Sequence, residues 1–252
     1  MKFHRFCFVL YSILMATQLF AVAQPDGPVV DKSLHVYLLI GQSNMAGRAP
    51  FSAEEAKPIK NCYLLNAKDL WEEATNPLNR YSTIRKGLQM QKLNPGYGFA
   101  QTMLDQRPGI SIGLVVNAKG GTKIGQWKKG TKFYQEAVRR AKEAQKHGKL
   151  KGILWHQGES DNGKPEGYLD AMKQLVANLR KDLGVKDLPI VVGQVREGSA
   201  INEILASVPK KIPHTACVSS KGLKTMDRWH FDARSMKELG KRYAEAMLKL
   251  QQ

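Results

Sequence analysis

Short apolar runs recur along the chain, at 34–40, 62–65, 110–116, 152–155, 189–193 and 215–219. They are rich in Val, Ile and Leu and too short for buried helices, which predicts strands covered on both faces. Between several of them the apolar positions shift to helical spacing. One helix is predicted to begin near Tyr97 and stop at Pro108-Gly109. Another covers Lys132–Lys146 and closes at His147-Gly148. A long one spans Pro165–Leu183 with Pro165 in its first turn. A shorter one covers Ala200–Val208, and the last runs from Ala233 to Leu250 with Asp232 as its N-cap. Residues 48–96 break the pattern. Pro50, Pro58, Pro77 and Pro95 surround a single expected strand at Cys62–Leu65, which suits a long loop layer.

Strands alternating with helices of this length imply an α/β fold, a three-layer α/β/α sandwich with a mainly parallel central sheet. Right-handed crossovers bring the strand C-terminal ends to one rim. Three polar, glycine-bearing loops follow strand ends, at 41–47, 117–122 and 156–161. A fourth, Asp227-Arg228-Trp229-His230, precedes the last helix. All four can meet above that rim. Gly96-Tyr97-Gly98 is not a dinucleotide loop, because it follows a turn and lacks a third glycine.

Residues 1–23 lie outside the alternation. Lys2 and Arg5 precede an apolar stretch from Phe6 to Phe20, and Ala21-Val22-Ala23 is a small-x-small cleavage pattern. This predicts a signal peptide over 1–23, one domain over 24–252, and a secreted or periplasmic protein. No later window has the ~20 apolar residues of a membrane span, so no stable membrane insertion is expected after cleavage. Removal of the signal leaves 37 basic against 22 acidic residues, a net charge of +15. The basic residues are dispersed, with pairs at Lys128-Lys129 and Lys210-Lys211 and no nucleic-acid motif. The charge therefore reads as a polyanion-seeking surface, not a nucleic-acid site. Cys62 and Cys217 remain after cleavage, and either a disulfide or two buried thiols fits them. No metal-ligand spacing occurs, and neither metal nor cofactor is expected.

The chemistry begins where the first strand stops, at Gly41-Gln42-Ser43-Asn44. A serine after a strand end and a glycine can be a turn residue, or a nucleophile at the ligand-binding edge of an open sheet. The second role needs a neutral imidazole and a carboxylate to orient it. Asp227 and His230 supply that pair. An oxyanion then needs preorganised donors: the Ser43 amide, the amide of Gly120 or Gly121, and the Gln157 side chain at the end of a buried strand.

The four motifs, Gly41-Gln42-Ser43-Asn44, Gly120-Gly121-Thr122, His156-Gln157-Gly158-Glu159-Ser160-Asp161 and Asp227-x-x-His230, stand in the order of a known group. Together they resemble the sialate O-acetylesterase and acetylxylan esterase group of SGNH-type hydrolases, over nearly all of the chain from residue 34. The resemblance implies an SGNH-hydrolase, flavodoxin-like sheet. It implies Ser43 as nucleophile, His230 as base, and Ser43, a loop glycine and Gln157 as oxyanion donors. Asp227 is the acid of the general pattern, and Glu159 is its rival in the acetylxylan esterase branch. His156, which precedes Gln157, is then a brace and not a base. Gln42, Asn44, Arg48, Asp161 and Trp229 are candidates for sugar contact. Trp127 is another, and core packing is the alternative for both Trp127 and Trp229. Met45 stands where a Gly-x-Ser-x-Gly elbow needs its last glycine, which argues against an α/β-hydrolase. The expected activity is hydrolysis of O-acetyl esters on carbohydrate, acetylated xylan or a related polysaccharide, through an acetyl-serine intermediate. Sialate or another O-acetyl sugar is the alternative substrate. A non-catalytic carbohydrate-binding protein is the alternative class.

Overall fold

The computed structural model describes residues 34–252; the predicted signal peptide and leader lie outside them. Seven strands form one sheet: β1 (Leu34–Gly41), β2 (Cys62–Leu65), β3 (Trp71–Glu73), β4 (Ile112–Val116), β5 (Gly148–His156), β6 (Ile190–Gly193) and β7 (Thr215–Val218). Their order is β3-β2-β4-β1-β5-β6-β7. Every pairing is parallel except β2 with β3. Around the sheet stand α1 (Ser43–Ala46), α2 (Gly96–Gln106), α3 (Lys132–Gln145), α4 (Tyr168–Leu183), α5 (Ile201–Lys211) and α6 (Ala233–Leu250).

β1 shows why its sequence reads as an unbroken apolar run. Leu34, Val36, Leu38 and Ile40 face one core with residues of α3, α4 and α5. Tyr37 and Leu39 face a second core with residues of α2 and α6. A strand sandwiched between two helical layers has no solvent face to alternate with. On α6, Met236, Leu239, Tyr243, Ala244 and Met247 are buried at helical spacing. Asp232 caps that helix as expected, its side chain accepting from the Ser235 amide at 2.7 Å.

Three expectations need correction, and the open choice for the two cysteines is decided. The loop layer contains a second strand, β3, paired antiparallel to β2 at the sheet edge. Gly148 does not close α3. It opens β5, where a Cβ would lie 2.5 Å from the Leu34 carbonyl oxygen, so the glycine permits close pairing with β1. Pro165 precedes α4, which begins at Tyr168 behind a left-handed Gly167. Cys62 on β2 and Cys217 on β7 are free thiols separated by four intervening strands, far beyond disulfide reach.

The strand order places the site. β1 lies between β4 and β5, where the order reverses as the chain continues outward on both sides. Ligands of open α/β sheets bind outside the strand ends at such a reversal. Ser43 sits there, between the loops that follow β4 and β5.

Candidate active site

Gly41 makes the turn out of β1. Its φ is 142°, and a Cβ on it would fall 2.0 Å from the His156 carbonyl oxygen. Only glycine permits this approach. The Gln42 amide donates to that oxygen at 2.8 Å, and the Lys119 amide donates to the Gly41 carbonyl at 3.1 Å. The three strand-end loops are thereby tied at their roots, and Ser43 opens α1.

The Ser43 hydroxyl donates to His230 Nε2 at 3.0 Å, across 187 residues of sequence. His230 Nδ1 donates to Asp227 Oδ2 at 2.7 Å. Asp227 Oδ1 accepts from the Trp229 and His230 amides at 2.7 and 2.8 Å, which fixes the loop around the histidine. Partial burial pushes the Asp227 carboxyl up. The hydrogen bonds from the His230 ring and the two amides outweigh it and hold the group below its ordinary range. An ionised Asp227 can only accept, so the Nδ1 proton belongs to the imidazole and Nε2 is free to take a proton from Ser43.

Asn44 secures this loop from beneath. It is fully buried. Its Nδ2 donates to the Trp229 carbonyl at 3.0 Å, and its Oδ1 accepts from the Phe231 amide at 3.2 Å. One side chain thus clasps the backbone on both sides of His230. The same Nδ2 donates to Glu159 Oε1 at 2.6 Å. Asn44 therefore does not face a sugar, and Glu159 reaches the histidine loop only through it.

Glu159 is buried between Asn44 and His156, whose Nε2 lies 3.7 Å from Glu159 Oε1. Its Oε2 has no partner among the described residues. Burial raises its carboxyl to about 7; its own amide and Asn44 pull it down, and the nearby Asp161 charge adds to the rise. His156 is itself held neutral, lowered to about 3 by burial. Its Nδ1 donates to the Tyr243 hydroxyl at 3.0 Å, and that hydroxyl donates to the Trp155 carbonyl at 2.8 Å. His156 is a brace within this network.

A stability prediction follows from Glu159. Between pH 4.5, its ordinary value, and about 7, the folded chain holds a proton that the unfolded chain has lost. Stability should therefore fall as pH rises through that window, by an amount on the order of 3 kcal/mol. Glu159→Gln, which cannot ionise, should lack this step. Thermal unfolding of both proteins from about pH 5 to about pH 8 tests it. Parallel curves would locate the protonation elsewhere.

Gln157 departs from its expected place. It is fully buried, and its Nε2 faces Thr122 O at 2.9 Å, Asp161 Oδ2 at 2.6 Å and Gln42 Oε1 at 3.1 Å. Two amide hydrogens among three acceptors leave none for an oxyanion. Asp161 is spent in the same network and also accepts from the Ile124 amide at 3.0 Å, so it is no sugar contact. Gln42 gains from this. Its Oε1 accepts from Gln157 and from the Ser160 amide at 3.3 Å. Its amide nitrogen is the end left without a partner among the described residues, and Gln42 lines the pocket. A polar residue just past a buried strand signals a network in sequence, but not which member faces outward.

That pocket, about 360 Å³, holds Gln42, Ser43, Arg48, Gly120, Trp229 and His230, with Lys86, Gly121 and Glu159 also in its wall. Gly120 and Gly121 arrive from the β4 loop, and their amides donate to no group among the described residues. Trp229 is half-buried with the Arg228 guanidinium 4.6 Å above its ring. Trp127 is core: it is buried edge-on to Trp155 at 5.4 Å and donates to the Thr122 hydroxyl at 3.2 Å. A larger cavity, about 1170 Å³, opens over α2 and α6 and contains none of these groups. Among the described residues no cluster of three or more histidine, cysteine or carboxylate side chains is placed to hold a metal ion.

The profile of the family described as "Carbohydrate esterase, sialic acid-specific acetylesterase" matches residues 33–249. The chain belongs to this family. As a member it is a carboxylic ester hydrolase, a carbohydrate acetylesterase with the fold of SGNH-type enzymes. The acetylesterase is 34% identical over 236 residues to the probable carbohydrate esterase At4g34215 of Arabidopsis thaliana, covering 84% of this chain and 90% of that one. The crystal structure of the Arabidopsis protein superposes with a TM-score of 0.78 at 32% identity, covering 86% of this chain and 98% of that one. NanS shares the fold at a TM-score of 0.70 and 17% identity, with 88% and 98% covered. So does XAC1771, a carbohydrate acetylesterase from Xanthomonas citri, at 0.65 and 18%, with 86% and 56% covered.

Proposed function

We propose that this acetylesterase removes O-acetyl groups from a polysaccharide, acetylated xylan or a related plant or algal glycan, through an acetyl-Ser43 intermediate. The observation that carries the mechanism is the unbroken line Ser43 Oγ–His230 Nε2 and His230 Nδ1–Asp227 Oδ2, at 3.0 and 2.7 Å. Ser43 Oγ attacks the ester carbonyl carbon while His230 Nε2 takes its proton. The tetrahedral oxyanion is held by the amides of Ser43 and of Gly120 or Gly121, with the Gln42 amide in the place expected for Gln157. His230 then protonates the departing sugar oxygen. Water, deprotonated by His230, attacks the acetyl carbon and releases acetate. Trp229 at the pocket wall offers a face for a sugar ring.

A second reading, hydrolysis of O-acetyl sialate, is favoured by the family's own description. The basic start and apolar stretch of residues 1–23 support export of the enzyme to the periplasm or the medium. Acetate release across acetylated xylan, O-acetylated sialic acid and other acetylated glycans tests the substrate. Acetyl esters should be cleaved faster than longer acyl esters of the same alcohol. Glycan binding without acetate release from any ester would favour the carbohydrate-binding alternative.

A further inference from the structure

The acyl group of any acetyl ester changes charge where it reacts: it enters as a neutral ester and leaves as an anion. The Ser43 pocket has cations placed at that point. Arg48 and Lys86 both line it. Neither forms an ion pair among the described residues. Arg48 is half-buried, and burial disfavours its charge. One nitrogen holds its guanidinium in place: Nη1 donates to the Gly47 carbonyl at 2.6 Å and to the Met90 carbonyl at 2.9 Å. The other, Nη2, is turned to the double glycine. A Cβ on Gly120 would lie 2.5 Å from Nη2 and 3.4 Å from Ser43 Cβ. From the far side, a Cβ on Gly121 would lie 3.5 Å from Lys86 Nζ. The two charges thus flank the glycines whose amides have no acceptor among the described residues. The acidic residue of the pocket wall, Glu159, is turned to Asn44. A half-buried, unpaired guanidinium beside free amides favours an anion through both charge and hydrogen bonds.

We infer that Arg48 and Lys86 form an anion site for the released acetate, which occupies the Ser43 pocket against the next substrate, so that the enzyme is inhibited by its own product. This rests on the esterase reading and holds whatever alcohol carries the acetyl group, a neutral glycan included. In deacylation the bond between the acetyl carbon and Ser43 Oγ breaks, and His230 returns its proton to Oγ. The acetic acid so formed gives its own proton to solvent at neutral pH. The new charge then lies on oxygens facing the Ser43 and glycine amides, between the two cations. The rigid guanidinium offers the fork that a carboxylate matches, and the exposed lysine supplies a second, mobile charge.

The test is inhibition of aryl acetate hydrolysis, at initial rates, by sodium acetate. Acetamide serves as the uncharged analogue, and sodium chloride keeps ionic strength constant. Acetate should compete with substrate, with an inhibition constant at least about ten-fold below that of acetamide. Arg48→Gln and Lys86→Gln should each bring the two constants together by weakening acetate alone. Lys241→Gln removes the same charge from the wall of the cavity over α2 and α6 and should move neither constant. Lys86 is exposed, so its variant keeps the test decisive should the arginine variant fail to fold. Acetate no stronger than acetamide overturns the inference. So does an acetate preference that survives in the Lys86 variant and in a folded Arg48 variant, which would leave the anion to the amides. Equal weakening by Lys86→Gln and Lys241→Gln also overturns it and assigns the effect to the net charge of the whole surface. Absence of hydrolysis would remove the esterase reading. The site is then read from broadening of the acetate methyl proton resonance by the protein, which should be present in wild type and lost in Lys86→Gln; no broadening in wild type overturns it.

Discussion

Alanine at position 43 is expected to lower kcat for a small aryl acetate by at least about 10⁴-fold while leaving the circular dichroism spectrum unchanged. The size follows from what remains. The glycine amides and the Gln42 amide still surround the carbonyl, and His230 is still oriented by Asp227, but no oxygen is left to carry the acetyl group. The fold should tolerate the change. Among the described residues the Ser43 hydroxyl bonds only His230 Nε2, which lies at the pocket and can turn to water. A variant within about ten-fold of wild type would remove Ser43 from the reaction. A variant that unfolds would instead assign the hydroxyl to the turn out of β1. Spectroscopy and kinetics together separate the two.

The geometry of the candidate site was legible in sequence to the extent that it depends on order along the chain. Buried strands advertise themselves by continuous apolar runs, and β1 does so because helices cover both its faces. Once the alternation implies a parallel sheet, handedness alone carries the loops of Ser43, Gly120 and Glu159 to one rim. Asp227 and His230 are three residues apart, so their pairing is nearly local. Side chains whose direction depends on distant partners were not legible. Asn44 is adjacent to Ser43 in sequence, yet it turns inward because Trp229, Phe231 and Glu159, all more than 100 residues away, supply its partners. Gln157 and Asp161 point away from the pocket for the same reason, each completing the other's hydrogen bonds. β3 is not legible in sequence because three residues at a sheet edge carry no usable period. The thiols stayed ambiguous until strand order set β2 and β7 on opposite wings.

The structure places the two carboxylates against different rings, and kinetics can separate their roles. An imidazole has one Nδ1, and here Asp227 occupies it at 2.7 Å. Glu159 approaches His156, a ring locked against Tyr243, and touches the His230 loop only by way of Asn44. Asp227→Asn should therefore lower kcat about 10⁴-fold, because an amide at that position favours the wrong imidazole tautomer. Glu159→Gln should cost at most about 10²-fold, the scale of a small misplacement of His230 when the Asn44 clasp is weakened. It keeps the shape of the side chain and can still accept from Asn44 Nδ2. Parallel measurement of kcat on one aryl acetate checks both. A deep loss confined to the Glu159 variant would transfer the role of acid to the β5 loop. It would also require His230 to leave the position in which it meets Asp227.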